Sequence, residues 1–365
     1  MPRPRTVYRG KRKYSWIITL IATMLVLLIL LAVWLFYDLQ KYIVYDKDGL
    51  HLDLSAQRDA LLNPGVQPEP VDKRPSLPSV DVEIVVEETD YSQIQTSAGT
   101  GLAPLRAIYI PMAELRESTL TYYAASGNMG DFDALVLELK GADGFLAWHS
   151  RVSTTDSFAV NGTLELAEPL KTLKAQGVYL VAALGSLTDA AMAQRNAPIA
   201  LKNADGSVYG DRTAGGYLDP YNETTRSYLL ALLTELRDLG FDEVLLQGFA
   251  CPADEQLRFS QPMTRTPDPG SALASLGLWL RKQADSLGIK LSVAMDGEAL
   301  RGDVVAGQDP VLLLKVFDRL AAETDAFYFE SDLAAAEAAL GGTDEKRVLT
   351  IIDDYAPARE SYIVK

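Results

Sequence analysis

Strand and helix patterns alternate from Leu105 to the end of the chain, and this alternation restricts the possible folds more than any other feature. The short apolar runs are typical of strands that are buried on both faces. The stretches between them carry helix signals, with Asn222 as a cap at one start and Gly240 and Gly288 after two ends. Repeated βα units in one block predict a parallel sheet with right-handed crossovers. The predicted fold class is therefore α/β, as a TIM-type (β/α)8 barrel.

The boundaries of these elements follow from the same patterns. Strands are predicted at Leu105–Ile110, Ala134–Lys140, Val178–Leu184, Glu243–Phe249, Lys290–Asp296, Ala326–Phe329 and Arg347–Ile352. Helices are predicted near Met112–Ser126, Glu165–Gln176, Glu223–Leu239, Ser271–Leu287, Pro310–Glu323 and Leu333–Leu340. A further strand at Ser361–Val364 would close the barrel. A doubly wound open sheet is the alternative, although the GxGxxG signature of that fold does not follow Ile110 or Lys140.

The N-terminus has the pattern of a membrane anchor. Residues 1–15 carry six basic side chains and no acid, and the 22 residues of Trp16–Tyr37 include no charged side chain. A run of this length spans a bilayer core as a helix. The basic flank predicts a cytoplasmic tail at 1–15, a transmembrane helix at 16–37 and an extracellular C-terminal domain. A cleaved signal peptide is the alternative, but no small-residue cleavage site follows Leu35.

Two further segments separate this span from the barrel. Residues 38–62 are predicted as a juxtamembrane region with a β-hairpin, because alternating runs at Tyr42–Tyr45 and Leu50–Leu54 flank an Asp-Gly turn. Residues 63–103 are predicted as a Pro-rich acidic linker. The acidic run Val80–Thr89 within it is interpreted either as a solvated spacer or as a strand that binds a partner. The barrel domain is predicted at 104–365.

Composition excludes several classes of function. The net charge of −15 argues against a nucleic-acid partner, since phosphate binding requires a basic face. The side chains His51, His149 and Cys251 are too few for a zinc site of the His/Cys type, and a single cysteine excludes an internal disulfide. Cys251 is predicted to be buried or inert, since neither histidine is near it in sequence to act as its base. No metal site and no cofactor is predicted, although a metal bound by oxygen ligands stays open.

The stretch GFDEVLLQGFACP combines a helix end, a buried strand and a loop closed by proline. Four segments of the chain resemble the bacterial "putative glycosyl hydrolase domain" family, TIM-barrel proteins distantly similar to the α-amylase clan. These segments are Gly240–Pro252, Ala200–Asn222, Leu137–Gly144 and Gly307-Gln308. The resemblance covers residues 104–365 and implies a barrel that acts on or binds carbohydrate, such as a cell-wall glycan.

This chain departs from the family pattern at the strand ends. The resemblance implies an Asp, a Tyr and an Arg where this sequence has Gln247, Gly248 and Ala250, and a second Asp where it has Glu138. A glycosidase of the usual kind requires two carboxyl groups beside the scissile bond. Glutamine cannot ionise, so Gln247 can serve neither as the acid nor as the nucleophile. The resemblance therefore implies the fold, with hydrolysis that is weak or absent.

Side-chain alternation along the strands selects the candidate site residues. In Ala134–Lys140 the leucines should face the helices, which points Glu138 and Lys140 into the barrel, where Lys140 is either functional or part of a structural ion pair. Asp296 shares a face with Ser292 and Ala294 and should also point inward. The predicted catalytic residues are Glu138, Asp296 and Glu330. The predicted substrate-binding residues are Lys140, Asp143, Tyr217, Asp219, Gln247 and Phe249.

Some of these candidates have a structural alternative. Asp219 precedes Pro220 and a helix, so it is alternatively a turn residue. Trp148 and Tyr221 are further candidates for stacking on sugar rings, with ordinary packing as the alternative. The predicted function is a membrane-anchored, extracytoplasmic barrel that binds cell-surface carbohydrate and hydrolyses it weakly or not at all. The alternative is a non-catalytic envelope scaffold with protein partners.

Overall fold

The computed structural model describes most of the chain after residue 93. It describes 94–365 except 126, 212–213, 255, 262, 264–265, 301–305, 324–330, 332–333, 335–337, 339–345 and 354–358. Before residue 94 it describes 20, 23–25, 27–28, 31, 43–46 and 49–52. The chain divides into two compact units, Met1–Val80 and Asp81–Lys365.

The first unit contains the predicted hairpin. Strand β1 (Ile43–Asp46) pairs antiparallel with β2 (Gly49–Leu52). Within the part of the chain that the structure describes, no helix has the length and apolar character to cross a membrane. The described residues between 16 and 37 are helical, and the rest of the predicted span lies outside the described residues, as do the predicted tail and most of the predicted linker.

The second unit contains a closed barrel of eight parallel strands, so the predicted barrel is confirmed and the open sheet is excluded. Its strands are β3 (Arg106–Ile110), β4 (Ala134–Lys140), β5 (Tyr179–Gly185), β6 (Glu243–Gln247), β7 (Lys290–Asp296), β8 (Leu320–Glu323), β9 (Val348–Ile352) and β10 (Tyr362–Val364). The strand predicted near the C-terminus is β10, and it closes the barrel by pairing Ile363 with Ala107 on β3.

The helices lie between the strands along the chain, as a (β/α)8 fold requires. They are α1 (Glu117–Tyr123), α2 (Ser153–Ser157), α3 (Ala167–Ala175), α4 (Ala190–Arg195), α5 (Glu223–Asp238), α6 (Pro269–Leu287), α7 (Gly297–Leu300) and α8 (Pro310–Val316). The predicted caps are confirmed, since the side chain of Asn222 accepts from Thr224 N at 2.8 Å and Gly288 ends α6 with a φ of +68°.

The hydrophobic core has two layers. Leu135, Leu137 and Leu139 on β4 belong to the layer between the barrel and its helices. Small and branched side chains fill the barrel itself, including Ala107, Val136, Val181, Leu245, Ala321, Leu349 and Ile363. The predicted alternation on β4 is therefore confirmed through Glu138, and the packed interior leaves the strand ends as the place for a site.

The structure corrects the predicted elements between β7 and β9. The helix predicted at Pro310–Glu323 ends at Val316, and Leu320–Glu323 is instead strand β8. Ala and Leu favour helices locally, but here Leu320 pairs with both Val293 and Val348, which closes the gap between the neighbouring strands. The strand predicted at 326–329 lies outside the described residues, as does most of the helix predicted at 333–340.

Two other predicted elements are shorter than expected. The helix predicted at Met112–Ser126 is divided into a 3-10 turn at Met112–Glu114 and α1. The strand predicted to reach Phe249 ends at Gln247, because Gly248 adopts a φ of +57° that takes the chain out of the sheet.

The last residues of the predicted linker are packed against the base of the barrel. Gly99 N donates to the buried Asp318 carboxylate at 3.0 Å, and Arg319 Nη2 donates to Ala103 O at 3.0 Å. Lys290 Nζ donates to Thr100 O at 2.7 Å. Residues 96–103 therefore form part of the barrel unit, which begins before the predicted boundary at 104.

Candidate functional site

A cavity of about 760 Å³ opens at the C-terminal ends of the barrel strands. Gln247, Asp296 and Glu323 line it from the strands, and Tyr217 and Gln308 line it from the loops. This is the end of a (β/α)8 barrel that carries the active sites of its characterised enzymes. We define these residues and this cavity as the mouth site.

Gln247 lies at the mouth site, as predicted. Its Nε2 donates to the hydroxyl group of Tyr109 at 2.9 Å, which links β6 to β3 across the barrel. Burial, followed by the Glu138 carboxylate, raises the pKa of Tyr109 above its ordinary value, so the phenol stays protonated. Gln247 thus supplies a neutral hydrogen-bonding group to the lining of the mouth site.

Asp296 and Glu323 occupy paired positions on β7 and β8. Both side chains are exposed and line the cavity, and neighbouring strands lie about 4.8 Å apart. Glu323 forms an ion pair with Lys365, while Asp296 Oδ1 accepts from Glu298 N at 2.9 Å. The structure therefore brings two carboxylates together at the mouth.

Sequence reasoning identified Asp296 but missed Glu323 and Lys365. The helix predicted at Pro310–Glu323 includes Glu323, and a helical position gives no reason to expect its side chain at the barrel mouth. One feature of the sequence does indicate a site at Glu323. This residue follows a short apolar run, as Asp296 does at the end of β7. Lys365 Nζ also lies 5.5 Å from the centre of the Tyr109 ring, a cation–π contact.

Glu138 lies apart from the Asp296–Glu323 pair. Its side chain is half-buried, and its Oε2 accepts from Met112 N at 2.8 Å. It is on β4, three strands from Asp296 on β7 in the barrel order, and it is not among the residues that line the mouth cavity. Of the three predicted catalytic residues, Asp296 therefore lines the cavity and Glu138 does not, while Glu330 lies outside the described residues.

Lys140 is not positioned to bind substrate, which corrects the prediction. The register of β4 shifts between Glu138 and Lys140, so the strict alternation that would point Lys140 inward is broken. Its Nζ lies 2.8 Å from Asp189 Oδ2, donates to Gly185 O at 2.5 Å and lies 5.8 Å from the centre of the Tyr228 ring. Both Lys140 and Asp189 are fully buried, so the structural ion pair is the correct alternative.

Two acidic candidates shape turns instead of lining the mouth. Asp219 is fully buried and accepts hydrogen bonds from Tyr221 N at 2.8 Å and from the backbone and hydroxyl of Ser260, each at 2.6 Å. Asp143 is exposed, and its Oδ1 accepts from Phe145 N at 3.1 Å. The turn interpretation of Asp219 is therefore confirmed, and neither carboxylate reaches the cavity.

Among the predicted aromatic residues, Tyr217 lies at the mouth site. Its hydroxyl group donates to Asp211 Oδ2 at 2.8 Å, and its ring packs 5.8 Å from that of Tyr209, which also lines the cavity. Phe249 is fully buried against Phe317, with ring centres 5.2 Å apart. The prediction that Phe249 binds substrate is therefore wrong.

Two further aromatic candidates are packed against the protein. Trp148 is buried, and Tyr221 packs edge-on against Phe259 with ring centres 5.8 Å apart. Ordinary packing is thus the correct interpretation of Trp148. These two side chains contribute to the scaffold around the site.

Cys251 is buried, as predicted. Burial, followed by the charges of Asp219 and Asp268, raises the pKa of its thiol to about 12. The nucleophilic thiolate is therefore scarce at neutral pH. Within the described residues, no group of His, Cys, Asp and Glu side chains has the arrangement of a metal site.

Gly307 and Gln308 stabilise the backbone next to the mouth site. Gln308 Oε1 accepts from Asp296 N at 3.0 Å, and Gln308 Nε2 donates to Phe249 O at 3.1 Å. Gly307 has a φ of +78°, and a Cβ atom there would lie 2.7 Å from the carbonyl carbon of Pro269. Only glycine fits this approach, so Gln308 is held where it connects the loop after β6 to the end of β7.

The sequence profile of the "Putative glycosyl hydrolase domain" family matches residues 107–322, more than half of the chain. The chain belongs to this family. No curated protein matches the sequence.

Solved structures match the barrel at low sequence identity. The PgaB (BpsB) glycoside hydrolase domain from Bordetella bronchiseptica is 13% identical, with a TM-score of 0.51 over 72% of this chain and 94% of that one. A hypothetical protein from Ruminiclostridium thermocellum is 21% identical, with a TM-score of 0.45 over 51% and 96%. Ega3 from Aspergillus fumigatus, in complex with galactosamine, is 11% identical, with a TM-score of 0.44 over 74% and 95%. The similarity to the PgaB domain shows a shared fold.

Proposed function

We propose that this glycosyl-hydrolase-like domain binds carbohydrate at the mouth site. The observation that carries the proposal is the cavity of about 760 Å³ at the C-terminal strand ends, where Gln247, Asp296 and Glu323 supply hydrogen-bonding groups. Its volume is within the range of small-molecule sites. Tyr209, which is half-buried, adds aromatic surface beside these polar groups. Membership of a glycosyl hydrolase family supports a sugar over other small molecules.

Hydrolysis is the second candidate, and the pairing of Asp296 with Glu323 favours it. Retaining glycosidases place their two carboxyl groups about 5–5.5 Å apart, and side chains on paired positions of adjacent strands are within reach of such a separation. Gln247 cannot ionise, so Asp296 and Glu323 are the carboxyl groups that we assign to any turnover. We expect binding to dominate, with slow or no hydrolysis, because Glu323 is engaged by Lys365 and Asp296 by the backbone of Glu298.

A panel of oligosaccharides tests both activities on the same protein. We expect Asp296→Asn and Glu323→Gln each to weaken the binding of the best ligand by roughly 10- to 100-fold, since a hydrogen bond to a charged group contributes about 1.5–3 kcal/mol. Any turnover should fall by about 1,000-fold or more in Glu323→Gln, because a missing catalytic carboxyl group raises the barrier by several kcal/mol. Binding is measured by calorimetry and turnover by the release of reducing ends.

The matched control for this panel is Glu168→Gln, the same substitution at a side chain that is 85% exposed on α3. It should leave affinity and turnover unchanged. Unaltered affinity in both mouth variants would mean that the site lies elsewhere. If the whole panel fails to bind, the non-catalytic scaffold becomes the better interpretation.

We also propose that residues 16–37 anchor the protein in the cell membrane with the barrel outside the cytoplasm. The uncharged run of 22 residues and the six basic side chains before it support this topology. Protease added to intact cells should then degrade an epitope in the barrel, while a cytoplasmic marker protein survives. Complete protection of the barrel epitope until the cells are lysed would contradict the proposed topology.

A further inference from the structure

Acidic side chains dominate the charge of the mouth site. Among the described residues that line its cavity, Asp211, Asp296 and Glu323 are acidic, and Lys365 is the one basic side chain. Three carboxylates against one ammonium group give the lining a side-chain charge of −2. A ligand with negative charge, such as a sugar acid, would be repelled there. The charge of the site therefore favours a neutral or a cationic ligand.

Asp296 is the carboxylate of this set that is most available to a ligand. Its side chain is exposed, and its Oδ1 accepts one backbone hydrogen bond at 2.9 Å. Asp211 accepts from the hydroxyl group of Tyr217, and Glu323 forms an ion pair with Lys365. Among the residues that the structure describes, no cation pairs with Asp296, and its Oδ2 is left to accept from a molecule in the cavity.

The structure already places one ammonium group in the mouth. Lys365 Nζ pairs with Glu323 and lies 5.5 Å from the centre of the Tyr109 ring. A carboxylate together with an aromatic face is a favourable environment for a primary amine in its charged form. The mouth therefore accommodates an ammonium group. Asp296, at the position paired with Glu323 on the neighbouring strand, offers a second carboxylate for another one.

The amide groups of the lining also favour a ligand that donates hydrogen bonds. Gln247 Nε2 donates to the hydroxyl group of Tyr109, so its amide oxygen is the group left to accept. Gln308 Nε2 already donates to the backbone at Phe249. Ionised carboxylates accept hydrogen bonds and donate none. An ammonium group has three donors and no acceptor, so it complements these charged and amide groups.

We propose that the mouth site selects a sugar with a free amino group, whose ammonium binds Asp296. This selection rests on the proposed binding of carbohydrate and specifies its class. An N-acetyl group on the same nitrogen removes the charge and leaves a single N–H donor. A hydroxyl group in its place is uncharged as well. Both changes remove the attraction to the carboxylate, so the corresponding sugars bind more weakly.

Calorimetric titration of the full chain with three tetrasaccharides tests the selection. They are β-1,4-linked tetramers of glucosamine, N-acetylglucosamine and glucose, which differ only in the ammonium, acetamide or hydroxyl group at C2. At one mildly acidic pH, we expect the glucosamine tetramer to bind at least tenfold more tightly than the other two. Equal or tighter binding of either uncharged tetramer would overturn the selection of an amino sugar and leave the binding of carbohydrate in place. Failure of all three and of the wider oligosaccharide panel would overturn both proposals.

Substitutions assign the selection to Asp296. Asp296→Asn keeps the shape without the charge and should remove the preference for the glucosamine tetramer. Lys365→Met leaves Glu323 without its cation, so it should strengthen binding of the glucosamine tetramer relative to the glucose tetramer by about threefold or more. Asp131→Asn is the matched control at an exposed position outside the cavity, and it should leave the preference unchanged.

Thermal unfolding verifies that each variant is folded. A preference for the glucosamine tetramer that survives in folded Asp296→Asn would overturn the role of this carboxylate. The absence of any gain in folded Lys365→Met would contradict the electrostatic origin of the selection.

Discussion

Replacing Lys140 with methionine is expected to lower the free energy of unfolding by about 3–5 kcal/mol. Methionine fills a similar volume, so the main change is the loss of the ammonium group that lies 2.8 Å from Asp189 Oδ2. Asp189 would remain fully buried, with the hydrogen bond from Met192 N to its Oδ1 as its remaining stabilising contact among those observed. A buried carboxylate without a counter-ion is strongly unfavourable. Equilibrium unfolding in urea measures the effect.

The double variant Lys140→Met/Asp189→Asn tests whether the unpaired charge of Asp189 causes the loss of stability. Asparagine keeps an oxygen that can cap α4 but carries no charge, so we expect the second substitution to recover most of the lost stability. Lys174→Met is the matched control, because Lys174 pairs with Asp242 at 2.6 Å where both side chains are partly exposed. Lys174→Met should lower the free energy of unfolding by less than about 1 kcal/mol. An equal loss in the Lys140 and Lys174 variants would contradict the buried-pair explanation.

Replacing Asp318 with alanine is expected to cost about 3–5 kcal/mol of unfolding free energy as well. Asp318 is fully buried at the base of the barrel, where it accepts from Arg281 Nη1 at 2.5 Å, Leu291 N at 2.9 Å and Gly99 N at 3.0 Å. Its removal leaves a buried guanidinium and two backbone donors without this acceptor. The same substitution removes the hydrogen bond that holds Gly99 against the barrel, so limited proteolysis should cleave near residue 99 sooner.

The control for Asp318→Ala is Asp133→Ala, which removes the same group from an exposed ion pair. Asp133 pairs with Arg106 at 2.8 Å, with the two side chains 51% and 40% exposed. Water screens such pairs, and we expect a loss below about 1 kcal/mol and unchanged proteolysis near residue 100. If Asp318→Ala is no more destabilising than this control, the explanation from a buried acceptor is contradicted.

Protein stability and carbohydrate binding should respond to different substitutions. Lys140 was a predicted substrate-binding residue, yet its ion pair lies behind the mouth and not in the cavity. Lys140→Met should therefore bind carbohydrate normally under conditions in which it is folded. Asp296→Asn and Glu323→Gln should show the opposite behaviour, with weaker binding and little change in stability, because both side chains are exposed.

Gln247 shows why a single reversion is not expected to restore the family pattern. The neighbouring Gly248 has a φ of +57°, and a Cβ atom there would overlap the side chain of Thr188. The tyrosine that the family resemblance implies at this position therefore does not fit the present backbone. Gln247→Asp would introduce a carboxylate beside Tyr109 without the neighbours that accompany it in the family.

The sequence by itself determined the barrel and the position of Gln247. Apolar runs, helix caps and glycine stops are local signals, and their alternation is enough to predict parallel βα units. Parallel strands all end at one rim, so a residue at the end of a buried run is expected at the mouth. Gln247 and Asp296 were found in this way, and the hairpin at residues 43–52 was predicted from its turn.

The tertiary structure alone decided which side chains meet. The segment Leu320–Glu323 favours a helix locally, and its pairing with β7 and β9 makes it a strand that puts Glu323 beside Asp296. The register shift after Glu138 likewise places Lys140 against Asp189, 49 positions away in the chain. The alternation of apolar and polar residues in a sequence predicts which way each side chain points in a regular strand. Pairing, register and burial depend on residues distant in sequence, and they are established only when the barrel closes.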